Sequence, residues 1–244
     1  MRADGRSNES LRDIKITTGF IKYPEGSVLI EWGGTKVICN ASVEEKVPPF
    51  LKDTGKGWVT AEYSMLPRAT DTRSSRDISK LKLSGRSAEI QRLIGRALRS
   101  VTDLDALGER MITVDCDVIQ ADGGTRCASI TGGFCALALA LARLKEQGVI
   151  ENIPLRSYVA AVSAGIVNGE PMCDLCYTED STGEVDFNFV MDDMGNIVEL
   201  QGTGEERPFS KAELDSMYEM AANAVKRLTD IQKKALGEIA GWNK

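Results

Sequence analysis

Apolar and polar residues alternate along several short segments in the first half of the chain, a pattern typical of half-buried β-strands. The strands that it predicts are residues 14–17, 27–32, 36–43, 58–65 and 111–119. Ahead of the last strand, apolar residues recur at three- and four-residue spacing and predict an amphipathic helix: Ile90, Leu93, Ile94 and Ala97. Ser84 can cap this helix. We therefore expect a sheet covered by a helix.

The second half begins with residues 127–144, which are apolar on almost every side of a predicted helix. Such a helix is buried on several faces, and its Gly132-Gly133 pair predicts that a neighbouring element approaches closely. Further strands are predicted at residues 158–167, 171–177, 185–191 and 197–201, with an Asn168-Gly169 turn joining the first two. A last helix starts at Ser210, because Glu213 completes a capping box.

These elements predict an α+β fold with mixed sheets and covering helices. The strand at 111–119, the helix at 127–144 and the strand at 158–167 are expected to form one right-handed crossover, while hairpins make the remaining sheets antiparallel or mixed. No linker rich in Pro, Gly or Ser divides the chain. We therefore expect a single domain over residues 1–244, with two lobes whose boundary lies near residues 105–150.

Composition narrows the class of protein. The chain has 244 residues, 42% of them hydrophobic, and no uninterrupted apolar stretch comes near the roughly 18 residues that span a bilayer. We expect a cytoplasmic protein that does not contact a membrane. Six cysteines lie mostly in apolar runs, where free thiols act as small hydrophobic groups. Only Cys173 and Cys176 have ligand-like spacing, and strand alternation would turn them to opposite faces, so a metal role is not favoured.

The chain contains no histidine. Catalytic triads with a histidine base and zinc sites with histidine ligands are therefore excluded. The chemistry that remains uses carboxylates, arginines, hydroxyl groups and, where a metal takes part, a hard cation bound by oxygen atoms.

One turn is a candidate anion site. Residues 121–126, Ala-Asp-Gly-Gly-Thr-Arg, connect the strand at 111–119 to the buried helix. The glycines let backbone amides approach a ligand, the helix N-terminus is partly positive, and Thr125 and Arg126 add donors for a phosphate. From the turn alone, a tight β-to-α connection with a solvated arginine remains an alternative.

Positive charge is concentrated in residues 68–99 of a chain whose formal net charge is -6. The basic residues of this region are Arg68, Arg73, Arg76, Lys80, Lys82, Arg86, Arg92, Arg96 and Arg99. The first three lie in a polar loop of small residues, and Arg86 begins the predicted helix, where an anion would also meet free amides. Such a region suggests a nucleic-acid partner, although the last three arginines are more simply explained as a solvated helix face.

A second cluster of charge is acidic and consists of Asp174, Glu179, Asp180, Glu184 and Asp186. A loop in this segment can bring Asp180 and Asp186 together, where a cation or a shared proton would offset their repulsion. Mg²⁺ bound by one or two carboxylates and by substrate phosphates is a common solution. From this segment alone, a solvated acidic loop remains an alternative.

Five segments resemble the ribonuclease PH family, and the resemblance extends over essentially the whole chain. The segments are residues 1–6 (MRADGR), 83–87 (LSGRS), 117–126 (DVIQADGGTR), 177–181 (YTEDS) and 186–188 (DFN). The resemblance implies a phosphorolytic 3′-exoribonuclease that trims the 3′ ends of tRNA precursors with inorganic phosphate and releases nucleoside diphosphates. In reverse, it adds nucleotides to RNA 3′ ends. Two ribosomal-protein-S5-like β/α units in each subunit and a hexameric ring of three dimers are also implied.

The same resemblance implies roles for particular residues. The attacking phosphate would be bound by Arg86, Gly124, Thr125 and Arg126. Asp180 and Asp186 would hold Mg²⁺ or assist proton transfer to the leaving 3′ oxygen. The RNA backbone would be bound by Arg68, Arg73 and Arg76.

Two other functions are weighed against this one. Related rings contain members that keep the fold and lose the site, so a non-catalytic RNA-binding subunit is the main rival. The intact arginines and the intact acidic pair favour an enzyme. A glycosidase with two carboxylates would use Asp180 and Asp186 but would leave Arg86 and Arg126 unexplained.

Overall fold

The computed structural model describes residues 2, 4–76, 84–239 and 242. The strands within these residues are β1 (Ile14–Thr18), β2 (Gly26–Trp32), β3 (Thr35–Glu44), β4 (Trp58–Met65), β5 (Met111–Gln120), β6 (Val159–Val167), β7 (Glu170–Cys173), β8 (Val185–Asp192) and β9 (Ile197–Gly204). The helices are α1 (Gly85–Ser100), α2 (Leu104–Leu107), α3 (Thr125–Glu146), α4 (Tyr177–Asp180) and α5 (Lys211–Leu236), and a 3₁₀ turn covers Pro49–Leu51.

The first half of the chain forms a five-stranded mixed sheet in the order β1-β2-β3-β5-β4. Its last two strands, β5 and β4, are parallel, and the other neighbours are antiparallel. The parallel pair is joined by α1, whose buried face includes the predicted apolar residues Ile90, Leu93, Ile94 and Ala97. Ser84 caps α1 by accepting a hydrogen bond from the backbone amide of Ser87 at 3.0 Å. The predicted sheet with a covering helix is therefore confirmed.

The second half forms a four-stranded antiparallel sheet in the order β7-β6-β8-β9. Its strand β6 is buried at every residue and contacts both α3 and α5. The predicted capping box of α5 is present, since Ser210 and Glu213 each bind the backbone amide of the other. Together the two sheets and their helices confirm the predicted α+β fold.

Helix α3 lies between the two sheets and contacts β2, β3 and β6. A Cβ atom added at Gly132 would lie 2.8 Å from Ile30 Cγ2 and 3.0 Å from Cys39 Sγ, so the predicted close approach is confirmed. Buried residues from both sheets and from α3 join one hydrophobic cluster. The core is therefore continuous from one half of the chain to the other.

The apolar character of α3 exceeds what we expected from the sequence. The helix is long and apolar enough to cross a membrane, because an 18-residue window within it has a mean hydropathy of 1.6. From the sequence we expected no apolar stretch near that length. However, 83% of this 18-residue window is buried inside the protein. Burial between two sheets accounts for the composition of a core helix of this kind.

The crossover predicted from residues 111–119, 127–144 and 158–167 was wrong. Strand β5 belongs to the five-stranded sheet and β6 to the four-stranded sheet, so α3 connects two sheets. A helix that is apolar on all sides gains more burial between two sheets than on one face of a single sheet. The parallel crossover in this fold is instead β4-α1-β5.

The strand predicted at 171–177 ends earlier than expected. Strand β7 stops at Cys173, Asp174 adopts a φ of 56°, and Cys176 is the N-cap of α4. Strand alternation therefore does not decide where the two thiols point. All six cysteines are free, and no group of three or more His, Cys, Asp or Glu side chains among the described residues is arranged to hold a metal ion.

The glycine pair of α3 provides a matched test of core packing. We expect Gly132→Ala to lower the free energy of unfolding by about 1–3 kcal/mol, because the added methyl group overlaps Ile30. Gly133→Ala should be neutral or stabilising by up to about 1 kcal/mol, because its nearest neighbour, Val114 Cγ1, would lie 3.4 Å away and alanine favours helix. Urea denaturation of both variants measures the difference, and equal effects would contradict this packing.

Candidate active site

The turn between β5 and α3 adopts a backbone conformation that glycine takes more easily than other residues. Gly123 and Gly124 have φ values of 74° and 67°, in the left-handed region that favours glycine. Gly124 is the N-cap of α3 and makes no side-chain capping bond, so no cap side chain covers the first amides of the helix. These amides are available as donors to an anion at the partly positive end of the helix.

The turn also touches the second half of the chain. A Cβ atom on Gly123 would lie 2.7 Å from the carbonyl oxygen of Leu175 and 2.8 Å from the amide nitrogen of Tyr177. No side chain fits in this space. The backbone of the turn and the first residue of α4 therefore lie against each other, and Tyr177 N donates to Asp122 Oδ1 at 3.4 Å.

A small cavity of about 50 Å³ lies beside the next residue of the turn, Gly124. Its lining residues are Arg86, Gly124, Thr125, Arg126, Ser163, Asp180, Asp186 and Asn188. All the residues that the resemblance implies for phosphate binding, and both aspartates of the acidic pair, line this cavity. They come from α1, the β5–α3 turn, α3, α4 and β8, so the fold brings together residues that are far apart in the sequence.

The two arginines of the cavity differ in how they are held. Arg86 follows the first residue of α1 and is exposed. Arg126 is half-buried, and its Nη1 donates to Gln201 Oε1 at 3.0 Å and lies 3.5 Å from Glu89 Oε1. Gln201 on β9 therefore orients Arg126 while most of its guanidinium donors remain available to a ligand.

The hydroxyl group of Thr125 is held by a hydrogen bond to a buried tyrosine. Tyr63 of β4 is buried, and its hydroxyl lies 2.8 Å from Thr125 Oγ1. Burial raises the pKa of Tyr63, so this phenol stays protonated at neutral pH. The pair fixes Thr125 at the first position of α3.

The two aspartates lie in different environments. Burial and, after it, the charge of Asp180 raise the pKa of Asp186 to about 6, although Arg126 and Arg86 act to lower it. The pKa of Asp180 is also raised by burial, and the same two arginines oppose the shift. In this cavity the positive charge of two guanidinium groups therefore offsets part of the cost of placing two carboxylates close together.

Asp186 has the property expected of a cation ligand. Its Oδ1 atom is buried and has no hydrogen-bond partner among the described residues. An ionised oxygen in that position is stabilised by a cation or by a proton. With Asp180 on the same cavity, the residues fit a divalent cation such as Mg²⁺ that completes its shell with substrate phosphate and water.

The remaining residues of the acidic cluster are neutralised by arginines. Asp174 is bound by Arg12, and Glu179 is bound by Arg2. Glu184 pairs with Arg207, whose Nε lies 2.6 Å from Glu184 Oε2. Within the described residues, neither Asp180 nor Asp186 forms an ion pair, so these two carboxylates are the ones left for a ligand.

A wider cavity of about 550 Å³ adjoins the small one and shares Arg86, Gly124, Thr125 and Asp180 with it. The other lining residues are Met65, Thr70, Asp71, Thr72, Ala121, Asp122, Gly123 and Tyr177. The ring of Tyr177 is large and apolar, and the residue is 62% exposed. This wider space has the size and polarity for part of an extended ligand whose reacting end reaches the small cavity.

The predicted RNA-binding arginines lie beside the wider cavity rather than in it. Arg68, Arg73 and Arg76 are exposed, and no hydrogen bond or ion pair joins them to another described residue. Their loop contributes Thr70, Asp71 and Thr72 to the cavity wall. Lys80 and Lys82, from the same basic region, lie outside the described residues.

Comparison with known proteins identifies the family. Residues 10–142 match domain 1 of the 3′ exoribonuclease family, and residues 157–224 match domain 2. The ribonuclease PH of Syntrophomonas wolfei subsp. wolfei is 56% identical over 236 residues, which are 97% of this chain and 99% of the relative. This chain belongs to the ribonuclease PH family.

Solved structures share the ribonuclease PH fold. Rice (Oryza sativa) Rrp46 superposes with a TM-score of 0.78 at 20% identity and covers 97% of this chain and 100% of its own. A chain of the Archaeoglobus fulgidus exosome, solved with RNA bound to the active site, gives a TM-score of 0.77 at 22% identity, with coverage of 94% and 91%. The predicted fold class is confirmed.

Some residues of this ribonuclease PH site carry no sequence signal. Gln201 lies on the mostly exposed β9, and Tyr63 lies on the buried face of β4. Nothing near them in sequence predicts contact with α3. Ser163 lies inside the fully buried β6. The basic region gave a mixed result, because Arg96 pairs with Glu199 at 2.5 Å rather than facing solvent alone.

The raised pKa of Asp186 predicts how the stability of the protein changes with pH. Its pKa of about 6 lies above its ordinary value of 3.8, so the folded state binds this proton more tightly than the unfolded chain does. Stability is therefore lost as pH rises from about 4 to 6, by up to about 3 kcal/mol at pH 8. Asp186→Asn should raise the melting temperature at pH 8 in metal-free, phosphate-free buffer, and the gain should shrink towards pH 4.

Glu219→Gln is the control, since Glu219 is an exposed residue of α5 that does not line the cavity and its replacement also removes one negative charge. It should leave the melting temperature nearly unchanged at both pH values. If the Asp186→Asn variant melts no higher than the wild-type protein at pH 8, the ionised Asp186 does not destabilise the fold.

Proposed function

We propose that this protein is a phosphorolytic 3′-to-5′ exoribonuclease that removes nucleotides from RNA 3′ ends, including those of tRNA precursors, and releases nucleoside diphosphates. In the reverse direction it adds nucleotides. The observation that carries the proposal is the small cavity, where helix amides and two arginines face two carboxylates. Full-length similarity to a ribonuclease PH supports the same activity.

Inorganic phosphate occupies the N-terminal end of α3 in this proposal. The amides after Gly124 and the hydroxyl of Thr125 donate to its oxygens, and Arg86 and Arg126 neutralise its charge. Free phosphate is itself the nucleophile, so no serine, cysteine or histidine needs activation. The protein supplies position and charge.

The reaction exchanges one phosphorus–oxygen bond for another. An oxygen of the bound phosphate attacks the phosphorus of the last phosphodiester, and the bond to the 3′ oxygen of the preceding nucleotide breaks. The leaving 3′ oxygen takes a proton, and the attacking hydrogen phosphate brings one, so the step balances while Asp186 stays ionised to hold Mg²⁺. Arg86 and Arg126 offset the repulsion between the two phosphates.

Mg²⁺ belongs to the proposal as a cofactor held by Asp180 and Asp186. The orphaned Oδ1 of Asp186 and the neighbouring carboxylate supply oxygen ligands. A divalent cation there supplies positive charge for the phosphate oxygens in the transition state.

The 3′-terminal nucleotides occupy the wider cavity. Its wall continues from the small cavity through Arg86 and Gly124, and the exposed ring of Tyr177 offers a face for stacking a base. Arg68, Arg73 and Arg76 lie on the loop beside it, where exposed cations meet the RNA backbone. Stacking and phosphate contacts tolerate any base, as a trimming enzyme requires.

Assembly into a hexameric ring is a further part of the proposal, supported by exposed apolar side chains. The β1–β2 connection exposes Phe20, Ile21 and Tyr23, and the β8–β9 hairpin exposes Met194, Ile197 and Leu200. Burial of such patches between copies would remove apolar surface from water. We also interpret the two lobes as one domain, because their core is continuous. A cytoplasmic location remains a prediction.

Phosphate dependence separates the proposed function from its rivals. We expect the protein, given Mg²⁺, phosphate and an RNA with a short 3′ tail, to release nucleoside diphosphates, which thin-layer chromatography detects. Arg126→Ala should raise the KM for phosphate at least 10-fold with RNA affinity within twofold, because a charge-assisted contact worth about 1.5–3 kcal/mol is lost. Arg92→Ala, on the exposed side of α1, is the matched control and should not raise this KM.

Two results would contradict this function. Release of nucleoside monophosphates without phosphate would indicate hydrolysis. RNA binding with no turnover in either direction would indicate the non-catalytic ring subunit. Asp180→Asn should impair phosphorolysis and synthesis alike, and wild-type turnover in that variant would remove Asp180 from the site.

The stacking role of Tyr177 has its own test. Tyr177→Ala should raise the KM for RNA by about 5- to 150-fold, since stacking of one base contributes about 1–3 kcal/mol, while the KM for phosphate stays unchanged. Tyr177→Phe keeps the ring and should behave as the wild-type protein does. Steady-state kinetics with each substrate varied in turn measures both constants. Equal effects of the two variants would assign the role to the hydroxyl group instead.

A further inference from the structure

The first residues of the chain join the two halves of the active site. Arg2 and residues 4–13, which we name the N-terminal strap, bind both the β5–α3 turn and the segment from Cys173 to Glu179. The arginines that make these contacts are Arg2, Arg6 and Arg12. None of the three lines the small cavity or the wider one. The strap therefore supports the site without forming its surface.

Asp174 is the centre of this network. It is 1% exposed and has a φ of 56°, a conformation in which a residue other than glycine persists only when its surroundings hold it. Its carboxylate accepts hydrogen bonds from Nη2 and the backbone amide of Arg12 at 2.7 and 2.6 Å, and from Trp32 Nε1 at 2.9 Å. These contacts hold the backbone bend that ends β7 and leads to α4.

Arg12 also reaches the other half of the site. Its Nη1 donates to the carbonyl oxygen of Asp122 at 2.5 Å, directly before Gly123. A planar guanidinium binds Asp174 and Asp122 at once because its donors point in fixed directions. One buried side chain therefore relates the turn that carries Gly124 to the segment that leads to Asp180.

Arg2 acts on α4 in a similar way. Its guanidinium is fully buried and donates to both carboxylate oxygens of Glu179, at 2.8 and 2.6 Å. Glu179 in turn accepts a hydrogen bond from the backbone amide of Cys176 at 3.0 Å and so closes the first turn of α4. Asp180 is the next residue, so the direction of its carboxylate follows from this ion pair.

Buried ion pairs add little net stability, because the desolvation of both charges offsets their attraction. Their geometry is the more direct consequence, since a misplacement of about 1 Å in an active site can lower a rate about 100-fold. We propose that Arg12 and Arg2 are positioning residues that hold the phosphate-binding turn and Asp180 at the separation that phosphorolysis requires. This inference rests on the proposed function.

The principal test is Arg12→Lys, which keeps the positive charge but cannot hold two partners in a fixed fork. We expect the dissociation constant for inorganic phosphate, measured by isothermal titration calorimetry on the full chain, to rise at least 10-fold. The KM for phosphate should rise by a similar factor. The KM for RNA should rise less than the KM for phosphate, because Arg68, Arg73 and Arg76, three of the residues proposed to contact RNA, lie on a different loop.

A second variant tests the other contact independently. Glu179→Gln removes the charge that binds Arg2 and keeps the shape of the side chain. We expect kcat to fall at least 10-fold, and by a larger factor than the KM for RNA rises, because Asp180 loses its orientation. This variant also carries the test if Arg12→Lys does not fold, as circular dichroism and thermal melting would show.

Gln232→Met is the matched control for general loss of stability. Gln232 is fully buried and joins α5 to the carbonyl oxygens of Thr131 and Val159, at 2.9 and 3.0 Å, but lines neither cavity. It should lower the melting temperature and leave phosphate affinity and both KM values as in the wild-type protein.

Wild-type phosphate affinity and kinetics in the folded strap variants would overturn the proposal. Equal weakening of phosphate binding in Gln232→Met would also overturn it, because the effect would then be one of stability alone. A wild-type protein that binds phosphate in the calorimeter but shows no phosphorolysis would contradict the proposed function instead. In that case the calorimetric comparison of the variants still decides whether the strap positions the phosphate site.

Discussion

The contact between Gly123 and the backbone at residues 175–177 determines where the active site can form. The turn approaches this backbone so closely that no Cβ atom fits at Gly123, and the N-terminus of α3 therefore lies directly beside the start of α4. The helix amides and Arg126 lie on the α3 side of this contact. Asp180 lies on the α4 side, and Asp186 lies on strand β8. A side chain at position 123 would separate the phosphate cradle from the carboxylates.

The charges around this contact fall into two classes. Asp174, Glu179 and Glu184 are neutralised by arginines, and they hold backbone segments in place. Asp180 and Asp186 are partly buried and form no ion pair with any residue that the structure describes, and burial raises the pKa of both. Strain of this kind is typical of functional sites, where groups are kept ready for a ligand at some expense in stability. The same short segment thus contains both the scaffold and the reactive groups.

Local patterns in the sequence predicted much of this protein, because strands, amphipathic helices and glycine turns depend on neighbouring residues. They located α1, α3, α5 and the Gly123-Gly124 turn, and with the family resemblance they brought Arg86, Arg126, Asp180 and Asp186 into one hypothesis. They failed where distant segments decide the outcome. The apolar character of α3 does not show whether the helix packs on one sheet or between two. The bend at Asp174 depends on Arg12, which lies 162 residues away in the sequence.

The position of α3 has a consequence for how the chain folds as it is synthesised. One face of this helix packs on β2 and β3, which precede it, and another packs on β6, which follows it. While only the first half has left the ribosome, the side of α3 that faces β6 has no partner and exposes one of the most apolar segments of the chain. Burial of this face then depends on the arrival of the second sheet, and until that sheet forms, the exposed face of α3 is a surface to which chaperones or other unfolded chains bind.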